Sequence, residues 1–156
     1  MISPQLARAL RVAGLRWQPT AGDRFVIERP GFEGDVFTVS DMTIEAQEFS
    51  TGTVLGFNGT TEWALDSVAL DDALWLPAEH QLRALLGSSF RCLRRVDSSS
   101  ADAPADDGAH PFVPDSYVVE TLVNGQLAAF TAADPADAYA GALLTIGEVP
   151  GLEVTG

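Results

Sequence analysis

The chain has 156 residues, 46% of them apolar, which suits one domain with its own core and argues against wholesale disorder. Its 22 acidic residues face 9 basic ones, for a formal charge of −13, and every basic residue is arginine. With no lysine, a P-loop lysine or a Schiff-base lysine is excluded, and so negative a surface disfavours direct binding to a nucleic-acid backbone.

No window approaches the roughly 18 consecutive apolar residues of a membrane span. Arg8 and Arg11 interrupt the N-terminal apolar positions, so no secretory signal is read there and a cytoplasmic location is expected. Cys92 is the one cysteine, which rules out an internal disulfide and fits a reducing compartment.

Ser3-Pro4 reads as a helix cap followed by proline at the first helical position. Leu6, Ala9, Leu10 and Ala13 then form one face, and Gly14 ends the helix with Leu15 closing over it. The segment "RWQPTAGD" is a turn leading to the strand "RFVIE", where Phe25 and Ile27 alternate with polar or outward positions. "DVFTV" and "MTIEAQEF" follow as strands, the second with Met42, Ile44 and Ala46 on one face and Thr43, Glu45 and Gln47 on the other.

"STGTVLGF" gives a further strand, and Asn58-Gly59 suits a two-residue hairpin turn. That turn would set Val54 opposite Trp63 and Leu55 opposite Glu62, with Thr60 to Leu65 as the returning arm; a short helix from Thr60 or Thr61 is the competing reading. Pro77 opens the next helix, with Ala78, Leu82, Leu85 and Leu86 inward, Glu79 in reach of Arg83, and Gly87 as the stop. "SFRCLRRV" reads as a strand, and residues 97–114, small, acidic and proline-containing, as a mobile loop. "SYVVETLVNGQLAAFTA" is a hairpin turning at Asn124-Gly125, and Asp134-Pro135 caps a last helix whose inner stripe is Tyr139, Ala142, Leu143 and Ile146. The sum is an α+β domain over residues 1–156, an antiparallel sheet of hairpin-connected strands with three helices packed on it.

The combination "GFNGTTEWALDSV" and "ALWLPAEHQLRALL", with "LRWQPTAGDRF" before it and a closing hairpin and helix, resembles a set of small bacterial proteins of GC-rich Gram-positive genomes. Many of these are labelled as similar to the pilus-assembly ATPase of tight-adherence pili. The resemblance covers the chain to about residue 146 outside the 97–114 loop. Such ATPases are Rossmann-like and bind phosphate, whereas this chain has neither a strand-to-helix glycine loop nor a lysine, so the resemblance implies a family and no reaction, and carries no catalytic residue across.

Cys92 and His80 are the candidate Cys-His nucleophilic pair, but helix and strand phase point them apart, with Cys92 beside Phe90 on the buried face; a packed structural cysteine is the simpler reading. No spacing of cysteine and histidine matches a zinc set, and Asp102, Asp106 and Asp107 lack the order of a calcium loop, so no metal or cofactor is expected. Glu62, Asp66, Asp71 and Asp72 are candidates for paired carboxylates if they share a cleft, and exposed turn positions otherwise. Trp17, Trp63 and Trp75 are candidates for a ligand pocket or an interface; Trp63 and Trp75 also suit a core, and Trp17, beside a turn, is the most open of the three. Arg83, Arg91, Arg94 and Arg95 hold four of the nine basic charges, with Arg91 and Arg95 on one strand face.

Three functions are compatible with this inventory. The leading one is a non-enzymatic accessory module that binds another protein through the Trp17 region or an exposed sheet face. The second is a small-ligand binder or enzyme with a pocket near Glu62, Trp63 and Trp75. The third is an acidic decoy for the basic site of a nucleic-acid-binding protein.

Overall fold

The computed structural model describes residues 1–40, 43–57, 67–96 and 116–147. The chain runs α1 (Pro4–Val12), β1 (Arg24–Ile27), β2 (Phe37–Thr38), β3 (Ile44–Phe49), β4 (Gly52–Phe57), β5 (Ser67–Ala69), β6 (Ala73–Leu76), α2 (Glu79–Leu86), β7 (Phe90–Val96), β8 (Ser116–Val123), β9 (Gln126–Ala132) and α3 (Pro135–Ile146). The fold is α+β, and the described strands form three antiparallel sheets with orders β2-β1-β6, β3-β4-β5 and β7-β8-β9.

Proline at the start of α1 costs no hydrogen bond, because the first helical N–H groups have no internal partner. Its end is a complete Schellman motif. Leu15 N donates to Leu10 O (3.0 Å) and Gly14 N to Arg11 O (3.1 Å), with Gly14 at φ +107°, where a side chain would be strained. The inward face is Ala7 and Leu10 with Ile2 ahead of the helix. Ala13, expected inward, is exposed because the helix stops at Val12 and Ala13 is already the cap residue.

The sheet β2-β1-β6 lies between two apolar cores, which is why β6 reads "ALWL" with no alternation. On one side Leu74 and Leu76 join Ala7 and Leu10 of α1, Leu82 and Leu86 of α2, Val119 of β8, and the alanine-rich α3 with Tyr139 and Leu143. On the other side Phe25, Ile27 and Ala73 meet Ile44, Leu55 and Val68 of the second sheet, with Phe32, Phe37 and Phe57 around them.

The second sheet departs from the sequence reading. β3 and β4 turn at Ser50-Thr51, with Phe49 paired to Gly52, so the hairpin projects beyond the core and Ala46, expected inward, is exposed. Val54 faces Ala69 and Leu55 faces Val68, six residues beyond the expected partners Trp63 and Glu62. This register buries Val68 against Leu55. Asn58, Gly59, Glu62, Trp63, Asp66 and Met42 lie outside the described residues, as does the 97–114 loop.

In the C-terminal half, the expected hairpin is present, with Asn124 (φ 52°) and Gly125 (φ 79°) both left-handed as a type I′ turn requires. The Asp134 carboxylate accepts Ala136 N (2.9 Å) and caps α3. Helix α2 begins at Glu79, two residues after Pro77 rather than on it, because the Gln81 side chain accepts Ala78 N (2.8 Å) and sets Ala78 as the cap. The Arg83 guanidinium, expected to reach Glu79, lies 4.8 Å over the Phe90 ring.

Candidate functional site

The segment after α1 is folded around one carboxylate. Asp23 N donates to Thr20 O (3.0 Å), closing a turn whose third residue, Gly22, has φ +94°. The Asp23 side chain, in a residue only 5% exposed, then accepts four bonds. Its Oδ2 takes Trp17 Nε1 (2.9 Å), Thr20 N (3.0 Å) and Thr20 Oγ1 (3.1 Å), and its Oδ1 takes Gln81 Nε2 (2.6 Å). Because the Gln81 oxygen already caps α2, that one side chain ties the helix start to the Trp17 turn.

Held in this way, the Trp17 indole lies parallel to that of Trp75, with ring centres 6.3 Å apart and planes 5° from parallel. Phe25 packs against Trp17 from below, at 5.5 Å and 41°. The pair forms one wall of an open cleft of about 350 Å³. Arg11, Val12, Leu15 and Arg16 line it from the end of α1, and Leu70, Asp71, Ala73 and Leu74 from the short helical turn and β6. Val12, 87% exposed, adds apolar surface at the rim. The Trp75 Nε1–H is buried and finds no acceptor among the described residues, a situation that costs about 1–3 kcal/mol in a protein interior.

The charges beside the cleft are of two kinds. Arg11 is tied down, because Arg8 Nε (2.5 Å) and an Arg11 terminal nitrogen (2.6 Å) both donate to Glu28. Burial pushes the Glu28 carboxyl up, but the hydrogen bonds and charges of the two arginines outweigh it and hold the group below its ordinary value. Arg29 pairs with Asp72, the neighbour of Asp71. Arg16 and Asp71, by contrast, are exposed, and neither enters an ion pair among the described residues.

The structure therefore brings Trp17, Trp75 and Asp71 of the expected candidates to one cleft. Glu62, Trp63 and Asp66 fall outside the described residues. Arg91 and Arg95 stand on β7, in a different sheet, and Arg91 donates to the Ser88 and Phe90 carbonyls (2.8 and 3.1 Å). A β-bulge between Phe90 and Cys92 changes the phase of that strand, so that Phe90 faces Thr121 while Cys92 faces Glu120. Cys92 thus leaves the side on which Phe90 meets Tyr139, where the sequence placed it. Partial burial and the Glu120 carboxylate, 3.4 Å from the sulfur, push the thiol pKa up, the opposite of an activated nucleophile.

Asp23, Gln81, Val12 and Arg16 were not among the sequence candidates. "TAGD" carried a local signal for Asp23 as a turn acceptor, whereas its bond to Gln81 spans 58 residues and leaves no local trace. No family model, curated protein or solved structure matches the chain. No helix among the described residues is long and apolar enough to cross a membrane.

Proposed function

We propose that this chain is a non-enzymatic, cytoplasmic interaction module that binds another protein through the Trp17–Trp75 cleft. The observation that carries this reading is the indole pair itself, oriented by a buried carboxylate and placed at the surface beside exposed Val12 and Arg16. Tryptophan and arginine are the residues most enriched among energetic anchors of protein interfaces, and rigid anchors lose little entropy on binding.

A small-ligand reading draws on two facts, the Trp75 N–H that finds no acceptor among the described residues and a cleft volume at the lower end of small-molecule sites. One experiment separates the two. A photo-reactive residue is placed at Arg16, with Glu48 on β3, also exposed, as the control, in cells that make the chain. A discrete protein adduct at position 16, absent at position 48 and lost when Trp17→Ser is added, is the expected result. No adduct at position 16, together with a metabolite that raises the melting temperature of the parent, would overturn the interaction reading in favour of the ligand.

A further inference from the structure

Among the described residues the three sheets expose six edge strands, and five are protected in ways that natural edges commonly are. Two are very short, β2 with two residues and β5 with three. β3 carries Glu45 and Glu48, and β7 carries Arg91, Arg94 and Arg95 together with its bulge. β6 is four residues long and largely buried.

β9 has none of these devices. It is seven residues long, "QLAAFTA", without charge, proline or bulge, and its described partner is β8 alone. The two-residue turn makes Val123 and Gln126 a hydrogen-bonded pair, so Gln126, Ala128, Phe130 and Ala132 direct their backbone groups to β8. By alternation, the N–H and C=O groups of Leu127, Ala129 and Thr131 point to the open edge. All three residues are exposed, Leu127 at 63%.

We infer that β9 is a homodimerisation edge, pairing antiparallel with β9 of a second copy to make a continuous six-stranded sheet. The free groups are self-complementary about a two-fold axis at Ala129. In that register Ala129 meets its own copy and Leu127 meets Thr131 of the partner, so each edge donor finds an acceptor. The side chains brought together are small or apolar, and no like charges meet on the strand. The axis stands perpendicular to the sheet, so both copies of α3, which packs on β9 through Gly141 over Phe130, lie on one face. A second copy is favoured over a foreign strand because the edge supplies its own complement in this register. The remaining opposition is the −13 charge of each chain, which is long-range and therefore screened by salt.

The association is expected to be weak, about 10–100 µM, since a short edge contact falls at the low end of interface size. Sedimentation equilibrium over a concentration series should show a monomer–dimer equilibrium that tightens between about 0.1 and 1 M salt. Leu127→Lys and Ala129→Lys should each weaken it at least tenfold at the higher salt while leaving the melting temperature close to that of the parent. In a Cys92→Ser background, Ala129→Cys should form a disulfide-linked dimer under mild oxidation, and Glu48→Cys on β3 should not. A parent that stays monomeric at both salt concentrations up to about 1 mM, or a dimer unaffected by both lysine variants, would overturn the proposal.

Discussion

Replacing Asp23 by alanine probes the foundation of the site. The carboxylate accepts from Trp17, twice from Thr20, and from Gln81, in a residue that is 5% exposed. Hydrogen bonds to a charged acceptor contribute about 1.5–3 kcal/mol each, but the four do not simply add. Thr20 is exposed and rehydrates when the carboxylate goes, so its two bonds contribute little to the loss. The Trp17 and Gln81 donors are half-buried, and losing both acceptors costs about 3–5 kcal/mol, less some relief from no longer burying a charge. Asp23→Ala should therefore lose about 3 kcal/mol in urea denaturation followed by tryptophan fluorescence, at an unchanged m value. Asp23→Asn keeps the shape but turns an amide N–H₂ against one set of donors, and Gln81 cannot reverse without giving up its cap on α2. Its loss should be about 1–2 kcal/mol. Both variants within about 0.5 kcal/mol of the parent would show that the carboxylate does not organise this region.

Trp75→Phe deletes the indole N–H that has no acceptor among the described residues and should cost at most about 1 kcal/mol, whereas Trp17→Phe, which removes one of the four donors to Asp23, should cost more; the reverse order in the same urea assay would mean Trp75 Nε1 is satisfied in solution. Gly125→Val places a β-branched residue at φ 79° and should cost on the order of 1 kcal/mol or more, with Asn124→Gly tolerated, as read by thermal melting. Glu28 titrates below its ordinary value of 4.5 in the fold, so its contribution is present above that value and is lost as pH falls through the lower, folded value. Glu28→Gln should accordingly lower the melting temperature at pH 7 and converge with the parent in acid, because protonation removes the same ion pairs; a difference that persists at the lowest pH reached would place its role in packing.

The parts of this fold that were legible in the sequence are those in which a few adjacent residues decide the backbone. Ser3-Pro4, Gly14-Leu15, Asn124-Gly125 and Asp134-Pro135 each satisfy or bend the chain locally, and each marks the boundary it predicts. The partition into three sheets was not legible, because it depends on pairings such as Phe25 with Trp75, fifty residues apart in the chain. The bulge at Arg91 was invisible for a related reason: it follows from placing Thr121, whose hydroxyl donates to Ser89 O (3.0 Å), opposite Phe90, not from anything in "SFRCLRRV". Of the site, the tryptophans stood out by residue type, while the carboxylate that orients Trp17 belonged to a turn with no obvious chemistry. Trp17 and Trp75 meet only because β6 returns beside β1.

The interaction account stands most directly on the affinity of the partner captured at position 16, measured with purified components by titration calorimetry. Arg16→Glu, at an exposed position that enters no ion pair among the described residues, and Trp17→Ala should each weaken binding at least tenfold, which is about 1.4 kcal/mol and typical of an interface anchor. Arg94→Ala, whose side chain bonds Glu120 on the third sheet, should leave the affinity unchanged. Near-ultraviolet circular dichroism would confirm that each variant keeps its tertiary packing. Equal affinity for the parent, Arg16→Glu and Trp17→Ala would contradict the account and move the contact surface away from the Trp17–Trp75 cleft.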